Sequence, residues 1–177
     1  MNKKEIIFWR NRYNEEEDRY TTGLEEKLRK KFQKNRFITK KDLQETIKWK
    51  FQGQLKGRQL LNLKRLIVFD SAVIEKISKL AFEVNSDKLR IKLLTVIDGV
   101  GPAIASVVLT FYDSDNYGVL DFHAWNGLFK NSKKVFTEKD CLEYFNRLRE
   151  ISKKLGFPCR DIEKALFKKD LEKSKNY

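Results

Sequence analysis

Residues 93–109, LLTVIDGVGPAIASVVL, decide the fold of this chain. Two apolar helical segments meet at Gly99-Val100-Gly101, where glycine permits a positive φ and lets the backbone approach a ligand with no side chain between them. Pro102 falls at the opening of the second helix, where its missing amide hydrogen costs nothing. The pattern predicts a tight helical hairpin whose free amides can bind a phosphate, and the alternative is a mere connection between two helices.

Apolar residues recur at spacings of three and four along nearly the whole chain, which contains only two prolines and eight glycines. This pattern is typical of amphipathic helices, so the predicted fold class is all-α. Ser71 and Ser86 are expected to cap helices, and Thr39 followed by Asp42 resembles a capped helix start. No repeat or low-complexity linker marks a boundary, and we expect residues 1–177 to form a single domain.

The chain is strongly basic, with 38 Lys and Arg against 25 Asp and Glu and a formal net charge of +13. An excess this large attracts polyanions, so nucleic acid is the first partner to consider. Charge alone does not separate DNA from RNA or acidic membrane, and a lysine-rich surface can also be simply well solvated. No apolar run approaches the roughly 20 residues that a membrane-spanning helix needs, so we expect a soluble protein with no membrane partner.

Cys141 and Cys159 are the only cysteines, and they lie far apart in the sequence. They lack the further Cys and His residues that a zinc site or an iron–sulfur cluster needs, so no side-chain metal site and no cofactor is expected. Two thiols in a chain without a secretory leader are typical of an intracellular protein, here of the cytoplasm or nucleoid. No feature indicates an obligate protein partner, and the expected state is a monomer.

A second informative segment, residues 117–125 or YGVLDFHAW, places Asp121 twenty positions after Gly101. The hairpin and this interval together resemble the helix-hairpin-helix DNA glycosylase superfamily, which includes endonuclease III, adenine glycosylase and 3-methyladenine glycosylase. The resemblance is specific over residues 93 to about 128 and only architectural elsewhere. It implies a helical bundle with two lobes around a cleft, and base excision repair of duplex DNA.

The resemblance also assigns roles to the hairpin at residues 93–109. It implies that Gly99, Val100, Gly101 and the amides near Ala103 hold a DNA strand. It further implies that hairpin carbonyls can hold a monovalent cation.

Asp121 is the predicted catalytic residue. Breaking an N-glycosidic bond builds positive charge on the sugar, and a carboxylate beside it stabilises that charge and orients or deprotonates water. The alternative is that Asp121 only caps the following helix. The two roles are compatible, because the helix dipole keeps a carboxylate at the N-terminus ionised.

Three departures from the family pattern bear on the chemistry. Some members form a Schiff base through a lysine two positions after the second hairpin glycine, where this chain has Ala103. The frequent iron–sulfur cluster is absent, and Asp98 replaces a common proline and adds negative charge near the bound phosphate. We therefore expect a monofunctional hydrolase that uses water and has no lyase activity.

A glycosylase flips its target base into a pocket and fills the gap with a wedge residue. The segment Trp49-Lys50-Phe51-Gln52 ends a helix about where the family carries its intercalating loop, so Phe51 or Gln52 is the candidate wedge. Trp49 is a candidate pocket wall or a core residue, and Lys50 a displaced amine nucleophile or a solvated lysine. His123, the only histidine, is a candidate contact to a phosphate or the base, or else a surface or capping residue.

The leading hypothesis is a DNA glycosylase that hydrolyses the N-glycosidic bond of a damaged, flipped-out base. The alternative is a helix-hairpin-helix protein that recognises damaged DNA or a junction and performs no chemistry. A third hypothesis is a helical RNA-associated protein, although no recognised RNA-binding motif is present. The sequence does not identify the damaged base, because selectivity depends on pocket shape and a few contacts.

Overall fold

The computed structural model of the protein describes residues 1–17, 19–51 and 57–175. In this part of the chain every regular element is an α-helix, which confirms the all-α prediction. The ten helices are α1 (Lys3–Glu16), α2 (Arg19–Asn35), α3 (Lys40–Lys50), α4 (Arg58–Ile67), α5 (Ser71–Glu83), α6 (Asp87–Thr95), α7 (Pro102–Tyr112), α8 (Phe122–Phe129), α9 (Glu138–Leu155) and α10 (Cys159–Lys175). None of the helices described is long and apolar enough to cross a membrane.

Local capping chemistry sets several helix starts. The capping box of Thr39 and Asp42 is present at α3, and Ser86 accepts an amide at the start of α6, both as predicted. The predicted cap at Ser71 is wrong, because Asp70 is the N-cap of α5 and its carboxylate accepts two amides of the first turn. A carboxylate in that position also interacts favourably with the helix dipole, whereas an uncharged hydroxyl lacks this interaction.

The apolar helix α7 lies in the middle of the fold. Every residue from Ile104 to Phe111 is buried, and α7 packs against α2, α3, α6 and α9. A helix that is apolar on all sides is stable only when neighbours cover it all round. The hairpin therefore leads directly into the core, and the N-terminus of α7 has a fixed position.

The two ends of the chain meet in space. Helix α10 packs along α1 and α8, and it also contacts α9. Cys159 and Arg160, at the start of α10, donate their amides to the carbonyls of Asp115 and Ser114. The segment between α7 and α8 is thereby fixed to α10, and the site described next lies where these helices converge.

Candidate functional site

The turn between α6 and α7 depends on Gly99. Its φ is +91°, and a Cβ there would lie 2.4 Å from the backbone oxygen of Asn62 in α4. Only glycine, which has no Cβ, adopts such an angle and permits such a close approach without strain. Val100 is buried, and its amide donates to the Ile97 carbonyl over 2.9 Å, so neither its side chain nor its N–H faces a ligand.

Gly101 and Ala103 form the exposed start of α7. Gly101 has a φ of −87°, which any residue can adopt, so the predicted positive φ holds for Gly99 alone. A Cβ at Gly101 would meet no atom within 4 Å, and Pro102 occupies the first helical position as predicted. Among the described residues, no group accepts from the amides of Gly101 and Ala103. These amides and the helix dipole make an anion site.

A cavity of about 730 Å³ opens beside this helix start, within the size range of ligand sites. Ala103 and Phe51 line it, together with Lys134 and Phe136. The same four residues line a second cavity of about 490 Å³, which contains the turn from Ile97 to Ile104. The turn and the larger cavity therefore adjoin. Other residues lining the larger cavity are Tyr13, Glu16, Glu17, Thr21, Trp49, Lys50, Val119, Leu120, Asp121, Phe122, His123, Arg160, Glu163, Phe167, Lys168, Leu171 and Lys175.

Asp121 and Lys50 meet on the wall of the larger cavity. The Lys50 Nζ lies 2.9 Å from Asp121 Oδ2, and the side chains are 9% and 28% exposed. The other oxygen, Oδ1, accepts the His123 amide over 3.0 Å, so Asp121 is also the N-cap of α8. Capping therefore uses one carboxylate oxygen, while the other faces the lysine.

The backbone that leads to Asp121 is held from three helices. The Leu120 amide donates to Ser106 Oγ of α7 over 2.8 Å. The residue before it, Val119, donates its amide to Glu163 and accepts from the Tyr144 hydroxyl through its carbonyl. Side-chain bonds to both backbone groups of an extended segment fix its path, so the carboxylate has one defined position.

The pKa of Asp121 lies below its ordinary value. Burial by itself raises the pKa of this carboxyl, but the charge and hydrogen bond of Lys50, together with the His123 amide, outweigh it. Interactions that stabilise the charged form of an acid lower its pKa. Asp121 is consequently ionised at neutral pH and can stabilise a cation in the cavity.

The aromatic residues near the end of α3 have more than one role. Trp49 is 8% exposed, donates its indole N–H to the Thr21 carbonyl and packs edge-on against Phe111, yet it also lines the cavity. It is both a core residue and a wall. Phe51 is partly buried at the C-cap of α3 and lines both cavities. Gln52, the other candidate wedge, lies outside the described residues.

His123 is paired with a carboxylate. Its Nδ1 lies 2.9 Å from Asp170 Oδ2, and the second oxygen of Asp170 accepts from the Asn126 side chain over 2.7 Å. The His123 ring also packs edge-on against Phe167. The histidine is therefore a half-buried residue of the cavity wall, and its backbone rather than its ring takes part in the cap.

Sequence reasoning missed a buried ionic cluster behind the cavity. Arg160 of α10 is 3% exposed and forms ion pairs with Glu25 and Glu163. Burial raises the pKa of Glu163 despite the opposing charge of Arg160, whereas Arg160 outweighs burial at Glu25 and lowers its pKa. One signal existed: Glu163 lies on the apolar stripe of α10, next to Ile162.

The described residues contain no group of three or more His, Cys, Asp or Glu side chains that could hold a metal ion. No family model, no curated protein and no solved structure matches this chain.

Proposed function

We propose that the protein is a DNA N-glycosylase of the helix-hairpin-helix type, which removes a damaged base from duplex DNA. The observation that carries the proposal is the Asp121–Lys50 pair, which lies in a cavity directly beside the start of α7. A phosphate held at that helix start would bring the adjoining sugar and base to the cavity. The residues predicted to bind DNA and the residue predicted to act on it are thus neighbours.

The reaction needs a carboxylate in this place. As the N-glycosidic bond breaks, the base leaves with the bonding electrons and positive charge develops on the sugar. Asp121 carries a negative charge in a fixed position that would stabilise this developing charge in the transition state. Preorganised charges of this kind supply a large share of an enzyme's rate enhancement. Lys50 keeps the carboxylate ionised and holds one of its oxygens in place.

Charge and architecture support DNA as the partner. The net charge of +13 favours association with a polyanion, and the free amides of Gly101 and Ala103 suit a phosphate. Residues of α1, α2, α3, α7, α8 and α10, or of their caps, line the cavity. Two lobes around a cleft remain the arrangement that the helix-hairpin-helix resemblance implies.

Two nucleophiles fit the site. Ala103 cannot form an imine, and the sequence therefore predicts water, which loses a proton as its oxygen bonds to the sugar C1′. The position of Lys50 favours a second candidate, a glycosylase with lyase activity. In that case Lys50 first gives up its ammonium proton to water, and the amine bonds to C1′ as the base leaves with the bonding electrons. The C1′–O4′ bond then breaks as the nitrogen loses a proton to give an imine, and removal of a C2′ proton eliminates the 3′ phosphate.

One experiment tests the activity and separates the two nucleophiles. Duplexes that each carry one alkylated, deaminated or oxidised base are incubated with the protein, with and without borohydride, and then treated with hot alkali. We expect base release from at least one lesion. Strand breaks that need alkali, with no trapped complex, indicate water, whereas a borohydride-stable adduct indicates an amine.

Variants on α3 identify the amine if an adduct forms. Lys50→Ala should abolish the adduct, while Lys48→Ala should not, because Lys48 is exposed on the same helix and does not line the cavity. An adduct that persists in Lys50→Ala contradicts both candidate nucleophiles. Absence of base release from every lesion refutes the glycosylase proposal and leaves a DNA-binding module without chemistry.

A further inference from the structure

The larger cavity contains a second polar centre, the carboxyl group of Glu17 at the end of α1. Four carboxylates line this cavity. Three of them form salt bridges with a lysine or an arginine, namely Glu16, Asp121 and Glu163. Within the described part of the chain, Glu17 has no basic group at salt-bridge distance. It is therefore the carboxylate with free capacity for a ligand.

Glu17 is anchored to Tyr13. Its backbone amide donates to the Tyr13 carbonyl over 3.0 Å, and the Tyr13 side chain lies near enough to lower the pKa of its carboxyl group. Burial raises the pKa of Glu17 more than Tyr13 and Arg160 lower it. A buried carboxylate whose pKa is raised has too few hydrogen-bond donors around it. N–H groups of a ligand would therefore stabilise its charged form.

Aromatic rings line the same cavity as this carboxylate and give it flat walls. The Tyr13 ring packs edge-on against Phe167, with centroids 5.8 Å apart. The Arg160 guanidinium lies over the rings of Tyr13 and Trp49, 5.5 and 5.4 Å from their centroids. Since two glutamates neutralise Arg160, the wall presents rings and not a net positive charge. Such surroundings suit a planar heterocycle.

We propose that Glu17 selects the extruded base, and that the base is of the guanine type, with two adjacent N–H donors on its Watson–Crick edge. This inference rests on the proposed glycosylase function. A carboxylate has two coplanar acceptors, which match the N1–H and 2-amino group of guanine and its derivatives. Adenine and cytosine place a ring-nitrogen lone pair beside their amino group, and uracil flanks its single N–H with carbonyl oxygens. In each of these bases, at least one acceptor atom would face a carboxylate oxygen and repel it.

A matched pair of lesions tests the inference. 8-Oxoguanine and 8-oxohypoxanthine differ only in the 2-amino group, so single-turnover base release from otherwise identical duplexes isolates that contact. We expect the wild-type protein to release 8-oxoguanine at least about tenfold faster, because a site built for a donor rejects an analogue without it. Glu17→Gln should reduce this preference to about twofold or less, since an amide accepts one N–H and opposes the second.

Glu16→Gln is the control, because Glu16 lines the same cavity but is paired with Lys168. It should keep the preference. Equal release of the two bases by the wild-type protein, or an undiminished preference in Glu17→Gln, overturns the inference while leaving the glycosylase proposal intact.

Equilibrium binding of the same duplexes separates the two proposals further. Tighter binding of the 8-oxoguanine duplex, lost in Glu17→Gln, supports the inference even if no base is ever released and the glycosylase proposal fails. Equal dissociation constants for the two duplexes overturn it.

Discussion

Asp121 receives hydrogen bonds from two directions, and this makes it both the cap of a helix and the anionic partner of a lysine. The His123 amide occupies one oxygen, and Lys50 approaches the other from a different helix. Asp121 lies a fixed interval after the hairpin and directly before a helix. Both features can be read from the local sequence, so the sequence predicts a catalytic carboxylate as well as a helix cap. The contact with Lys50 joins residues 71 positions apart and has no local signature.

The charge of Lys50 controls the ionisation of Asp121. Since the folded pKa of Asp121 is lowered, this group stabilises the fold at neutral pH, and that contribution is lost as the pH falls through the folded pKa. Lys50→Ala removes the main opposing charge and leaves burial, so the pKa of Asp121 should rise.

An NMR titration of the Asp121 side-chain carboxyl carbon measures this directly and does not depend on activity. Lys48→Ala, the exposed neighbour on α3, should leave the titration unchanged. The loss of unfolding free energy in Lys50→Ala should also be larger at neutral pH than at pH 3. An unshifted Asp121 titration would contradict the electrostatic account of the pair.

At the scale of elements, helices with local signals are well predicted and those fixed by tertiary contacts are not. The capping box of α3, the serine cap of α6 and the periodicity of both helices are visible in the sequence. Helix α10 instead begins at Cys159, because carbonyls of the segment before α8 accept its first amides. Helix α9 begins at Glu138 after a capping box of Thr137 and Asp140, which is a local signal of the same kind as the one at α3.

The two hairpin glycines should respond differently to a methyl group. Gly99→Ala places a Cβ 2.4 Å from a backbone oxygen at a positive φ, so it should lower the unfolding free energy by about 1–3 kcal/mol. Gly101→Ala meets open space at an ordinary φ and should change it by about 0.5 kcal/mol or less. Urea unfolding of both variants measures the difference, and similar losses would contradict the described turn.

Gly101→Ala also tests the anion site. Its methyl group would stand near the free amides at the start of α7, so duplex DNA should bind more weakly although the fold is as stable as before. Fluorescence anisotropy at fixed salt measures this, and unchanged binding would exclude a close approach of the DNA backbone at Gly101.

At the scale of the molecule, the candidate site exists only because distant segments converge. Glu17, Lys50, Asp121 and Arg160 come from different helices or their caps and share one cavity. Composition predicts the basic surface and periodicity predicts the helices, but neither determines which helices are neighbours. The hairpin and Asp121 were therefore predictable, whereas the ionic cluster and Glu17 were not.

We propose that Asp121 acts chemically on bound DNA. The most direct test compares Asp121→Asn with the wild-type protein in single-turnover base release from the best lesion duplex and in the affinity for that duplex. Asp115→Asn is the control for charge, because Asp115 is exposed and lines neither cavity. We predict that Asp121→Asn slows base release by at least about a hundredfold and changes the dissociation constant by about twofold or less. Base release that proceeds at the wild-type rate in Asp121→Asn would contradict the account.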